Sequence, residues 1–100
     1  MTISPGARLR VRITRPAIED LREAFDFIGQ DSPRAAGEVL DTISEAIRSL
    51  GEMPGRGRVG RIARTRELVV RTGHVVVYAV NADEVVVLYV RHGKRRWPPK

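Results

Sequence analysis

The sequence predicts an α+β domain: an N-terminal strand, then a two-helix antiparallel hairpin packed on one face of a twisted antiparallel sheet of three to five strands. Three observations predict it. Two amphipathic segments, each led by a proline, lie between Thr14 and Gly51. Only a few residues around Gly29–Ser32 separate them, which favours an antiparallel helix pair. From Arg66 to Arg91 the chain is a series of valine-rich runs broken at hairpin length. A length of 100 residues suits one domain, taken as residues 1–100, with a thin two-layer core.

Arg8-Leu9-Arg10-Val11-Arg12-Ile13 alternates basic and apolar, the period of a half-buried strand. Leu9, Val11 and Ile13 are expected inside, and the three arginines suit a sheet edge. Thr14-Arg15-Pro16 opens the first helix, because proline loses nothing in a first turn whose N–H groups are unpaired anyway. Glu19 and Asp20 are expected in that turn, and Ile18, Leu21, Phe25 and Ile28 form its apolar stripe up to Gly29. Ser32-Pro33 starts the second helix, whose stripe is Ala36, Val39, Leu40, Ile43, Ile47 and Leu50, with Gly51 as its stop. A turn-rich crossing runs from Gly51 to Gly60. Strands are expected at 60–63, 66–71, 74–80 and 84–91, with turns at Thr72-Gly73 and Asn81-Ala82-Asp83. Val75-Val76-Val77 and the run from Val85 to Val90 place apolar groups on both sheet faces, so the face away from the helices is expected to be covered too, at least in part.

Charge divides the chain. Residues 1–54 hold seven Lys/Arg and nine Asp/Glu; residues 55–100 hold eleven and three. The net charge of +6 implies an anionic partner. With no cysteine, disulfides and cysteine metal sites are excluded, and a reducing cytoplasm is the expected compartment. No signal-peptide core and no membrane-length apolar run is present, so no membrane association is expected.

The chemistry available is narrow. His74 and His92 are the two histidines, too few for an expected metal site, and no cofactor is implied. No nucleophile elbow or phosphate loop occurs. His92 is the side chain suited to proton transfer near neutrality, and it stands beside Arg91, Lys94 and Arg95. Arg56, Arg58, Arg61, Arg64, Arg66 and Arg71 precede the last two strands, and Arg91, Lys94, Arg95 and Arg96 follow them. Such a patch serves phosphates or carboxylates equally. Trp97 after the basic run is a candidate interface anchor or a cap on the sheet.

Four segments resemble the RelE/ParE superfamily of type II toxin–antitoxin toxins: Pro54-Gly55-Arg56-Gly57-Arg58, Thr65-Arg66-Glu67-Leu68-Val69-Val70, Val75-Val76-Val77-Tyr78 and Arg91-His92-Gly93-Lys94-Arg95-Arg96-Trp97-Pro98. Together they look most like the ParE, or plasmid-stabilisation, branch. That resemblance implies a toxin that blocks replication by binding DNA gyrase and is neutralised by a cognate antitoxin. Arg66, Arg91, Lys94, Arg95, Arg96 and Trp97 are the implied target-binding residues; Arg58, Arg61, Arg71 and Tyr78 are the implied antitoxin-binding residues. The RelE branch, whose members cut mRNA on the ribosome, is the alternative, and His92 and Arg95 would then be the catalytic pair. The chain departs from the cutters in three places. Val75 stands where they have an arginine, Glu67 and Leu68 where a lysine would help, and no tyrosine follows Tyr89. A degenerate, non-toxic antitoxin-binding protein is the third reading.

Overall fold

The computed structural model describes residues 8–93; Lys94, Arg95, Arg96 and Trp97 therefore lie outside the described residues. The elements are β1 (Arg10–Ile13), α1 (Arg15–Gly29), α2 (Pro33–Ser49), β2 (Arg58–Val59), β3 (Arg66–Val69), β4 (His74–Val80) and β5 (Glu84–His92). One five-stranded sheet results, in the order β1-β5-β4-β3-β2. The α+β class and the helix pair are as expected. The sheet is mixed rather than wholly antiparallel: β2 to β5 alternate in direction, but β1 lies parallel to β5, with Arg10 opposite Glu84 and Ile13 opposite Val87. Arg12 clamps this edge through two hydrogen bonds to Glu84, at 3.2 and 3.0 Å.

Thr14 joins β1 to α1. Its hydroxyl caps the helix by accepting from Ala17 N–H and also donates to the Val87 carbonyl at 2.9 Å. Two details of α1 differ from expectation. Its first turn holds no acid; Glu19 and Asp20 begin a turn later, where Asp20 accepts the Val90 N–H at 2.9 Å and ties α1 to β5 beyond the end of β1. The inward face is Ala17, Leu21, Ala24 and Ile28, whereas Ile18, Phe25 and Phe27 are exposed. The small Ala17, fully buried, sets the helix close on the sheet.

α2 follows its predicted stripe. Ser32 accepts from Ala35 N–H as N-cap, and Ala36, Ile43, Ile47 and the following Leu50 are buried. Ile43, Ile47 and Leu50 join Ala17, Leu68, Val70, Val76, Tyr78, Val85, Val87 and Val90 in the main core. Truncating Ile43 to Ala there would cost about 2–5 kcal/mol.

The expected strand at 60–63 does not form. The short β2 precedes it, and residues 60–65 fold into a tight loop closed by Gly60 N–H to the Thr65 carbonyl and by the Thr65 hydroxyl to the Ile62 carbonyl. Arg64 takes a left-handed backbone there, φ 66°, which no extended strand accommodates. The loop drops Ile62 onto Val75 and Val77, so the chain itself covers part of the second sheet face.

Candidate functional site

In the cationic half of the chain, arginines gather at one buried carboxylate. On the sheet face opposite the helices, Glu67 of β3 is 1% exposed. It sits opposite Arg58 of β2 and Val77 of β4, and Val75 of β4 sits opposite Arg91 of β5. Glu67 Oε1 lies 3.1 Å from Arg58 Nη2 and 3.5 Å from Arg91 Nη2, while Oε2 accepts the Arg61 backbone N–H at 3.1 Å. Burial alone would raise the Glu67 pKa. The Arg61 N–H, the Arg58 guanidinium and the Arg91 charge outweigh it and hold the carboxyl below its ordinary range. Burial lowers the Arg91 pKa, opposed by Glu67, yet arginine stays cationic at any pH where proteins fold.

A second constellation fixes the loop before β2. Tyr78 is fully buried on the helix side; its hydroxyl donates to the Pro54 carbonyl and accepts from Gly57 N–H, each at 2.8 Å. A Cβ at Gly57 would stand 2.7 Å from that hydroxyl oxygen, which explains the glycine between Arg56 and Arg58. Arg66 donates to the Gly57 carbonyl at 2.8 Å, bracing the same loop.

Among the described residues, the edge of the sheet is open beside α2. β2 pairs with β3 through Arg58 and Val59 alone, so Leu68 and Val69 extend past it. A groove of about 590 Å³ runs along them, lined by Thr42, Glu45 and Ala46 of α2 and by Arg56, Val70 and Arg71. Arg71 is exposed at its rim and reaches Thr42 at 3.3 Å. At the far end of β4 and β5 the two histidines meet edge to face, ring centroids 5.3 Å apart. His74 is buried with its Nδ1 2.9 Å from the Thr72 hydroxyl, and His92 is exposed. Among the described residues no group of three or more His, Cys, Asp or Glu is placed to hold a metal ion, and no helix is long and apolar enough to cross a membrane.

The implied site residues thus fall in different places. Arg58 and Arg91 converge on Glu67, and Arg61 joins them through its backbone. Arg66 and Tyr78 hold the loop at Gly57, and Arg71 alone lines the open groove. A fully buried tyrosine offers no contact surface, so any influence of Tyr78 on a partner passes through the loop it holds. Glu67, which organises the inner cluster, was legible in the sequence only as a departure from the RNA-cutting pattern. Its signal was that residues 55–100 contain a single acid, Glu67, before Asp83.

The fold and these motifs have known counterparts. Residues 11–97 match the model of the ParE toxin of type II toxin–antitoxin systems. The chain belongs to the ParE toxin family. Among this toxin's relatives, the Sinorhizobium fredii protein Y4kP is 39% identical over 93 residues, 92% of this chain and 96% of that protein. Toxin RelE2 of Caulobacter vibrioides is 40% identical over 79 residues, 79% of this chain and 89% of that one. The chromosomal ParDE system of P. aeruginosa superposes with a TM-score of 0.77 at 21% identity, covering 86% of this chain and 97% of that chain. The toxin–antitoxin complex RelBE2 of Mycobacterium tuberculosis gives 0.61 at 24%, covering 85% and 98%. At such identities the solved structures establish the ParE toxin's fold, two helices on a five-stranded mixed sheet.

Proposed function

We propose that this ParE-family toxin acts by binding DNA gyrase and blocking replication, without a reaction of its own, and that a cognate antitoxin silences it. The buried Glu67–Arg91 pair carries the reading. Arg91, the basic neighbour of His92, is paired with a carboxylate beneath the sheet surface instead of being presented beside that histidine. Val75, where the resemblance puts an arginine in RNA cutters, is 3% exposed and apolar. The groove beside β3 is the antitoxin's seat in this reading. An extended or helical segment lies against Leu68, Val69 and Ala46, and its carboxylates meet Arg71 and Arg56. Arg58 and Arg61, anchored at Glu67, offer their outer surfaces to the same partner. The target surface is formed by Arg66 and the basic run Lys94, Arg95 and Arg96 with Trp97.

The test is supercoiling by purified gyrase with increasing toxin. Loss of supercoiling with accumulation of cleaved DNA, reversed by antitoxin, is expected. Full supercoiling at excess toxin overturns the reading. A second reading, a ribosome-dependent mRNA endoribonuclease, draws on the 40% identity to Toxin RelE2 and on the exposed His92. It requires cut mRNA on programmed ribosomes, abolished by His92→Ala or Arg95→Ala.

A further inference from the structure

Charge is divided between the helices and the sheet. Residues 15–49, which form the helix pair, hold four Arg and eight Asp/Glu; residues 50–93 hold seven Arg and four Asp/Glu. The basic excess is concentrated in one short stretch. Residues 56–66 carry five arginines and no acid, and Arg56, Arg58, Arg61 and Arg64 are exposed. Most of this stretch is loop, yet its backbone is pinned along its length. Gly57 N–H donates to the Tyr78 hydroxyl, and the Gly57 carbonyl accepts from Arg66. Gly60 N–H donates to the Thr65 carbonyl, the Thr65 hydroxyl donates to the Ile62 carbonyl, and Glu67 accepts the Arg61 N–H. A loop braced in this way presents its cations in one arrangement, so little ordering is left for a partner to impose.

Arg64 says most about the purpose. Its backbone is left-handed, φ 66°, a conformation that glycine and asparagine adopt more readily than arginine. The turn itself therefore gives no reason for an arginine there; its exposed guanidinium does. The surroundings define the partner's chemistry. Every cation of the stretch is a guanidinium, whose paired N–H donors match phosphate oxygens. No aromatic residue lies within 56–66 to stack an unpaired base. Ile62 is turned onto Val75 and Val77, which leaves Val59, 81% exposed, as the single large apolar side chain displayed. Such a surface suits a regular phosphate backbone better than bases or a protein's apolar patch. We propose that this loop binds the sugar–phosphate backbone of duplex DNA, with Arg58, Arg61 and Arg64 each meeting a phosphate, so that the toxin holds the DNA on which gyrase acts. The choice of duplex DNA rests on the gyrase reading. The acidic helix pair repels the same backbone and turns the sheet side toward it. Antitoxin carboxylates at Arg58 and Arg61 displace those phosphates, which makes neutralisation in part a competition for one loop.

Fluorescence anisotropy of a short labelled DNA duplex with the full-length toxin tests this in the absence of gyrase and antitoxin. Binding is expected to weaken steeply with salt. Arg64→Asn removes the charge and suits the left-handed backbone, and Arg61→Ala keeps the N–H that Glu67 holds. Each is expected to weaken binding several-fold and to reduce the slope of log affinity against log salt by about one, while circular dichroism and the melting temperature hold. Arg34→Ala, exposed at the start of α2, loses the same charge and is expected to bind like the wild type. Residues 94–100 are identical in all variants, so differences among them belong to the loop. Arg64→Asn serves alone if Arg61→Ala misfolds. Four results overturn the proposal: no binding at low salt, loop variants that bind no worse than Arg34→Ala, tighter binding of RNA than of duplex DNA, or a glutamate peptide of matched charge that competes as well as DNA, which gives the loop to carboxylates. DNA binding through the loop with supercoiling left intact overturns the proposed function alone; gyrase inhibition with no DNA binding by the loop overturns this proposal alone.

Discussion

Glu67 and Arg91 face each other at 3.5 Å beneath the open sheet face, 1% and 7% exposed in their side chains. A carboxylate buried so completely is tolerable only because three donors converge on it. Replacing Glu67 with Gln keeps the shape but leaves the Arg91 charge uncompensated in a low-dielectric place. A loss of about 3–5 kcal/mol is expected, in the range for breaking buried ion pairs, measured by urea denaturation. Arg58→Ala is expected to cost no more than about 1 kcal/mol, because that guanidinium is 55% exposed and water screens it.

Acid should weaken the fold through the same group. The Glu67 pKa is lowered in the folded state, and that of Glu84 is lowered by its hydrogen bond and ion pair with Arg12. Between the folded and unfolded values the unfolded chain binds more protons, so stability rises with pH in that window. The contribution is complete above the unfolded glutamate value, about 4.3, and disappears as pH falls through the lower folded values. Denaturation midpoints recorded from neutral pH downward are expected to drop in that region, and to drop less steeply in Glu67→Gln.

Tyr78→Phe removes a hydroxyl that holds both Pro54 and Gly57. A buried N–H and a carbonyl then lose their partner, at a cost of about 1–3 kcal/mol. Hydrogen exchange at Gly57 is expected to accelerate more than exchange in α2. Gly57→Ala is expected to be worse than Tyr78→Phe, because its methyl would meet the Tyr78 hydroxyl and the Glu67 carbonyl together.

Arg71→Glu tests the groove. Arg71 is exposed and its guanidinium reaches only the Thr42 hydroxyl among the described residues, so the melting temperature should hold. Association with the antitoxin is expected to slow by about tenfold at low salt, with a shallower salt dependence, as for a reversed rim charge. Surface plasmon resonance at two ionic strengths reads both.

Most of the architecture was legible because it rests on local signals. Thr14 and Ser32 cap the helices, prolines open them, and the valine runs pair as hairpins. What could not be read depended on distant partners. The parallel edge requires Arg12 to find Glu84, 72 residues away. The face of α1 was misjudged because the large Phe25 and Ile18 outweigh the small Ala17 in any hydrophobic pattern, while close packing favours the small residue. The candidate site was the least legible part. Composition counts arginines but does not say which ones a single carboxylate will capture.

The pairing of β1 with β5 also sets an order of events in time. Of the described strands the first in sequence lies next to the last, so β1 gains its neighbour only once residues 84–87 have been synthesised. The helix pair and the β3–β4–β5 meander can form from contacts near in sequence, but the edge closes last, across most of the chain. A truncated translation product therefore lacks a finished sheet. The toxin's sheet is thus finished by a contact between strands far apart in sequence, after every local element is already in place.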